Sequence, residues 1–126
     1  MADLLTSLGF AASGMQAQAG RLRTLSENIA NADTPGYKAR DLPDFAASYR
    51  DSEPLRATRA GHLGASDRTP SHEAQIVPAA GAPNGNTVSL EGEMVKAAEA
   101  RQSHEMALAI YRGTSDLVRT ALGRAR

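Results

Sequence analysis

A chain of 126 residues with fourteen basic and fourteen acidic side chains has room for one domain and carries no global field toward nucleic acid or an anionic membrane. It contains no cysteine, which excludes disulfides, zinc–thiolate sites and thiol nucleophiles together. Aromatic residues make up only 4% of it and Trp is absent, so slender helix packing is expected over a thick globular core.

The amino-terminal stretch MADLLTSLGFAAS lacks the basic n-region and continuous apolar core of a secretory signal peptide. No apolar run approaches the ~20 residues needed to span a bilayer. The expectation is a chain that stays inside or leaves by a route without cleavage. A three-four spacing then runs through Met1, Leu4, Leu8, Ala11, Met15, Gln18, Leu22, Leu25 and Ile29, with Gln18 the one polar member. Such a heptad seam predicts an amphipathic or coiled-coil helix. Gly9, Gly14 and Gly20 each cost it about 1 kcal/mol relative to Ala, so the helix needs a partner to hold it.

The helix pattern ends in SENIANADTPGYK, Ser26 to Lys38. Asn28 and Asn31 stand three apart, on one side of the last turn. Side-chain oxygens in Asn31-Ala32-Asp33 compete with the backbone for hydrogen bonds and favour a stop. Thr34-Pro35-Gly36-Tyr37 suits a type II turn, with Pro second and Gly third, where positive φ is required. A stop explains Asp33 through Gly36 and leaves Asn28 and Asn31 over.

From Asp51 to Asn86 the sequence changes character, with four Pro, four Gly and few large aliphatics. Such a segment buries too little apolar surface to offset its ordering entropy. It is expected to be a long loop, with at most short strands near Leu55–Thr58 and Ala74–Pro78. Asp41 and Asp44, flanking Leu42-Pro43, are expected to be turn residues.

Ser89 is a suitable N-cap for a second long helix, with Glu91 and Glu93 in the first turn where they complement the dipole. Its predicted seam is Leu90, Met94, Ala97, Arg101, His104, Leu108, Tyr111, Ser115, Val118 and Leu122. A second row, Ala107, Ile110, Thr114, Leu117 and Ala121, widens the apolar face. A helix from Ser89 to Leu122 would be roughly 50 Å long. The expected fold is therefore mainly α: two long terminal helices packed as an antiparallel coiled-coil hairpin, joined by an irregular loop with at most short β segments. The segments are residues 1–32 for the first helix, 33–87 for the turn motif and loop, and 88–126 for the second helix.

Catalytic chemistry is hard to place on such a chain. His62, His72 and His104 have no partners at metal-binding spacing, and no phosphate loop or nucleophile elbow is present. No enzyme activity, cofactor, metal, nucleic acid or small-molecule substrate is expected.

LSENIANADTPGYKARD, Leu25 to Asp41, closely resembles the amino-terminal signature of the bacterial flagellar axial proteins, the rod, hook and hook-associated family. The match is carried by Ser26, Asn28, Ile29, Ala30, Asn31, Thr34, Pro35, Gly36 and Tyr37. YKARDLPDF, ATRAGHLG and NGNTVSLEGEMVKAAEA resemble the proximal-rod branch, with Ser89 where an Asp is usual and Gly92 where an Arg is typical. The resemblance implies a structural subunit of the proximal rod, the drive shaft that carries motor torque across the periplasm. It implies export unfolded through the flagellar type III apparatus, without cleavage. The implied partners are other copies, other rod proteins, and the basal MS-ring with its rod adaptor. The family places the terminal helices in a coiled coil lining the inner layer of a tube, which gives Asn28 and Asn31 a use as contacts to other subunits. Two alternatives stand beside this: the neighbouring proximal-rod type, against which NGNTVSLEGEM argues, and a soluble helical adaptor or secretion chaperone.

Overall fold

The computed structural model describes residues 2–52 and 73–123. The element order is α1 (Ala2–Ala30), β1 (Arg40–Asp41), α2 (Phe45–Ser52), β2 (Gln75–Ile76) and α3 (Leu90–Gly123). The expected strand at Leu55–Thr58, His62, His72 and the ATRAGHLG segment lie outside the described residues. Among those described, no helix is long and apolar enough to cross a membrane.

The two long helices pack against each other as an antiparallel hairpin. Asn28 meets Glu93 at one end, His104 Nδ1 lies 3.3 Å from the Met15 carbonyl oxygen midway, and a Cβ placed on Gly14 would lie 3.9 Å from Ala107 Cβ. The buried apolar residues are mostly small: Ala11, Ala17, Ala39 and Ala100, with Leu25 fully enclosed. Small side chains let two helices approach closely but remove little apolar surface from water.

On α1 the predicted seam turns inward. Ala11 and Leu25 are buried, and Leu4, Leu8, Met15, Leu22 and Ile29 are half-buried. The predicted seam on α3 turns inward over its middle, where Ala97, His104 and Ser115 are half-buried and His104 meets the Met15 carbonyl, and departs from the interface at its ends. Leu108, Tyr111 and Val118 are half-buried, but Leu90, Met94 and Leu122 are 48%, 60% and 60% exposed. Glu93, Ala100 and Ala107 face α1 as well. The physical reason is that α3 carries apolar residues on several sides, so periodicity alone allows more than one stripe. Close approach selects the line with alanines opposite Gly14.

The connection is less irregular than composition suggests, because residues 45–52 form a helix. Asp44 begins it, accepting from Ser48 N–H at 3.0 Å. Phe45 and Tyr49, four residues apart, share a face that packs on Phe10 of α1, with ring centroids 5.3 and 4.9 Å away. β1 and β2 pair antiparallel, Arg40 opposite Ile76 and Asp41 opposite Gln75. Val77 N–H to Ala39 O, at 3.0 Å, extends this ladder. β2 falls in the expected Ala74–Pro78 stretch, while β1 lies just after the turn, where no strand was expected.

A buried polar joint as the candidate functional site

The turn after α1 has the expected chemistry. Tyr37 N–H donates to Thr34 O at 3.3 Å, and Gly36 takes φ +74° in the third position. The loop before α3 turns back against it. Gly36 N–H donates to Asn84 O at 3.0 Å, and Lys38 Nζ donates to Gly85 O at 2.9 Å. A Cβ on Gly85, itself at φ +81°, would stand 3.5 Å from Gly36 Cα. Each glycine supplies a left-handed conformation that L side chains resist, and together they let two turns touch.

Asn28 is the centre of the site and is fully buried. Its Nδ2 donates to Arg40 O at 2.6 Å and to Glu93 Oε2 at 2.7 Å. Its Oδ1 accepts from Arg40 N–H at 3.1 Å and from the Tyr37 hydroxyl at 3.3 Å. One amide thus ties the last turn of α1 to the strand that follows the turn and to the first turn of α3. This corrects the expectation that Asn28 is left over for contacts with other subunits, since all four of its hydrogen-bonding capacities are used inside the chain. Asn31 is likewise engaged locally: its Nδ2 donates to Glu27 O at 2.8 Å and its Oδ1 accepts from the Thr34 hydroxyl at 3.2 Å.

Glu93 is only 3% exposed, and its carboxylate is held by two donors, Asn28 Nδ2 and Lys96 Nζ at 2.9 Å. A buried carboxylate needs such partners, because an unpaired charge there would cost several kcal/mol. Lys96 also lies 3.9 Å from Asp41 Oδ2. Asp41 in turn forms a two-pronged pair with Arg21 of α1, Nε to Oδ1 at 2.9 Å and Nη2 to Oδ2 at 3.0 Å. That hydrogen bond raises the Arg21 guanidinium above its ordinary pKa, against the opposing effect of burial. Asp41 is therefore an ion-pair anchor between α1, β1 and α3 as well as a turn residue.

The helix ends that meet here are capped from both sides. Ser89 begins α3, with Glu93 N–H donating to its carbonyl at 2.8 Å and Gly92 N–H reaching its hydroxyl at 3.4 Å. At the end of α1, Asn86 Nδ2 donates to the carbonyls of Asn31, Ala32 and Thr34 at 2.8 to 3.0 Å. Its Oδ1 accepts from Val88 N–H at 2.7 Å. A residue more than fifty positions away thus satisfies carbonyls of the turn that follows α1.

Asn86, Glu93, Lys96, Arg21 and the Arg40 backbone were missed as members of this site. A usable signal existed for Asn86, since an amide placed just after a Gly turn and before a helix is suited to satisfying backbone groups. For Glu93 the position in a first turn suggested only a solvated dipole partner.

Comparison with known proteins now bears on the same residues. The family profile described as Flagella basal body rod protein matches residues 8–38, from early in α1 through the turn. Flagellar basal body rod protein FlgB of Escherichia coli (strain K12) is 34% identical over 119 residues, covering 85% of this chain and 86% of that protein.

The chain belongs to the flagella basal body rod family.

FlgB of Cereibacter sphaeroides is 33% identical over 114 residues, covering 87% of this chain and 88% of the relative. A flagellar hook protein, FlgE of Brucella abortus, is 45% identical over 56 residues, which is 39% of this chain but 14% of that protein. Relative to the hook protein, similarity is local, whereas the rod proteins align over nearly their whole length. In this rod-family chain the profile match ends at Lys38, where the chain leaves the turn and pairs with the loop before α3.

Proposed function

We propose that the chain is a structural subunit of the flagellar rod, of the proximal FlgB type, and part of the shaft that transmits motor torque across the periplasm. The observation that carries this reading is near full-length similarity to FlgB proteins, combined with a site whose groups satisfy one another. A joint built of mutually bonded donors and acceptors suits a load-bearing part and does not suit catalysis. In this reading, residues 1–32 and 88–126 form the packed hairpin and residues 33–87 the outer segment, and the joint sets the angle between them. The large apolar side chains exposed among the described residues then become contacts with neighbouring rod and basal-body components. The finer partners are the basal MS-ring with its adaptor below, other rod proteins above, and the type III export apparatus during delivery.

The test is deletion of the gene, complementation with a tagged copy, and purification of basal bodies. Cells lacking the chain should not swim, and the tagged chain should co-purify with the rod. A swimming deletion strain, or a tag confined to the cytoplasm, would overturn the reading. A secretion chaperone would give the second result.

A further inference from the structure

Of the asparagines in the sequence, Asn84 alone is followed by glycine. Asn84 is exposed and Gly85 half-buried, in the loop that turns back against the joint. To the joint Asn84 lends its backbone carbonyl, which accepts from Gly36 N–H at 3.0 Å. Its side-chain Oδ1 accepts from Asn86 N–H at 3.1 Å. An oxygen that reaches the N–H two residues on must curl across the peptide between, so the carboxamide is folded back over the Gly85 nitrogen. Gly85 has no Cβ to obstruct that approach.

This is the arrangement for an attack within the chain. The Gly85 nitrogen gives up its proton to water or hydroxide and bonds to Asn84 Cγ. The Cγ–Nδ2 bond breaks, and ammonia leaves with a proton returned by water. A water molecule then opens the five-membered imide. Opening at Cγ gives aspartate, and opening at the Asn84 main-chain carbonyl gives isoaspartate, whose backbone runs through Cβ and Cγ and is one atom longer. The sum is carboxamide plus water to carboxylate plus ammonia, with nothing oxidised or reduced.

The folded turn opposes the first step. Gly85 N–H donates to Ala82 O at 2.8 Å, and a proton held by a carbonyl is harder to remove. Ala82 N–H donates to Asn86 O at 2.8 Å, and Lys38 Nζ to Gly85 O at 2.9 Å. Asn86 is anchored in turn to three carbonyls of the turn after α1. Ring closure abolishes the Gly85–Ala82 bond, because an imide nitrogen carries no hydrogen. It also locks the Asn84 carbonyl, the acceptor of Gly36 N–H, into the plane of the ring.

We propose that Asn84–Gly85 is a self-modification site that the closed joint holds in check. A chain with its joint closed keeps the asparagine; a chain left open converts it to isoaspartate and does not close again. The extra backbone atom falls where two turns touch, and even a Cβ on Gly85 would stand 3.5 Å from Gly36 Cα, so there is no slack to absorb it. The site therefore limits how long an open chain stays competent to fold, whatever the folded chain assembles into.

Peptide mass spectrometry of the purified full chain, held at mildly alkaline pH in buffer and in urea, tests this. In urea the peptide containing Asn84 should gain one mass unit and separate into aspartate and isoaspartate forms, while Asn28, Asn31 and Asn86 stay unchanged. In buffer the conversion should be at least about tenfold slower, since only the open fraction reacts. No conversion in urea would overturn the site, and an equal or faster rate in the folded chain would overturn the protection. N86A, which releases the turn from the end of α1, should convert faster in buffer, and a wild-type rate would overturn the gating. K38M, which loses only an exposed clamp on Gly85 O, covers the case in which N86A fails to fold: it should keep wild-type helicity and still convert faster. Converted chain diluted out of urea should recover less helix than fresh chain, whereas N84D, which adds the charge without the extra atom, should refold as wild type does. Full recovery by the isoaspartate form would overturn the claim that it does not close again.

Discussion

Replacing Asn28 by Asp is the sharpest test of the joint, because it preserves shape and changes only a donor and a charge. In the native site Nδ2 donates to Glu93 Oε2 at 2.7 Å and to Arg40 O at 2.6 Å. N28D puts an acceptor where both donors were and sets two carboxylates in contact, out of water. At that separation the bare repulsion reaches roughly 6 kcal/mol with an effective dielectric near 20, an upper bound. The protein has a cheaper escape, which is to hold one proton between the two groups. Keeping a carboxyl with an ordinary value near 4 protonated at about pH 7 costs about 4 kcal/mol, and this caps the penalty. The introduced carboxyl binds its proton more tightly folded than unfolded, so the variant loses stability as pH rises and regains it as pH falls. The difference in urea-unfolding free energy between wild type and N28D should be about 4 kcal/mol near pH 7. It should shrink by about 1.4 kcal/mol per pH unit and mostly vanish near pH 4. Far-ultraviolet circular dichroism of the purified chain across that range measures it. A penalty independent of pH would refute the argument that Glu93 and residue 28 share a buried, charge-sensitive contact.

N86A should destabilise the chain by about 2 kcal/mol, because Val88 N–H and the carbonyls of the turn after α1 lose their partner. Amide exchange should accelerate at Val88 and in the segment after Ala30 before the rest of α1. Two glycine substitutions should have opposite signs in the same unfolding assay. G36A, at φ +74°, should cost about 1–2 kcal/mol. G9A, mid-helix with nothing within 4 Å of the new Cβ, should gain up to about 1 kcal/mol. L25A, at a fully enclosed large apolar side chain, should cost about 2–5 kcal/mol, and a smaller loss would mean that the hairpin collapses readily around the vacancy.

Local chemistry was legible in the sequence where one residue type at one position suffices. The Gly36 turn, the Ser89 cap and the existence of both long helices follow from such signals. What was not legible depended on residues far apart in the chain. Asn28 was recognised as surplus to helix termination, but its partner Glu93 lies 65 residues away, and nothing local distinguishes a buried glutamate from a solvated one. The α3 seam was legible over its middle and not at its ends, because that helix carries apolar residues on several sides, and Leu90, Met94 and Leu122 lie off the side that Ala100 and Ala107 turn to α1. α2 was hidden by the composition of its surroundings, although Phe45 and Tyr49 at a four-residue spacing were a helical signal.

That the signature is an internal joint changes what its polarity is for. Buried ionic and polar groups rarely stabilise a fold more than well-packed apolar ones would, so stability alone does not explain Asn28, Glu93 and the Arg21–Asp41 pair. Apolar packing, however, tolerates sliding, whereas the four contacts of Asn28 lie at 2.6 to 3.3 Å and are directional. Rotating the turn and β1 against the hairpin would strain the three contacts to Tyr37 and Arg40 together, and would also pull Asn86 from the carbonyls of Asn31 and Ala32. A part that carries torque needs such directional contacts. In the proposed rod subunit, the polar bonds of the joint would fix the angle between the hairpin and the turn that follows α1. A motile cell with a mutationally softened joint should therefore assemble rods and still fail under load, swimming in dilute medium and stalling in viscous medium.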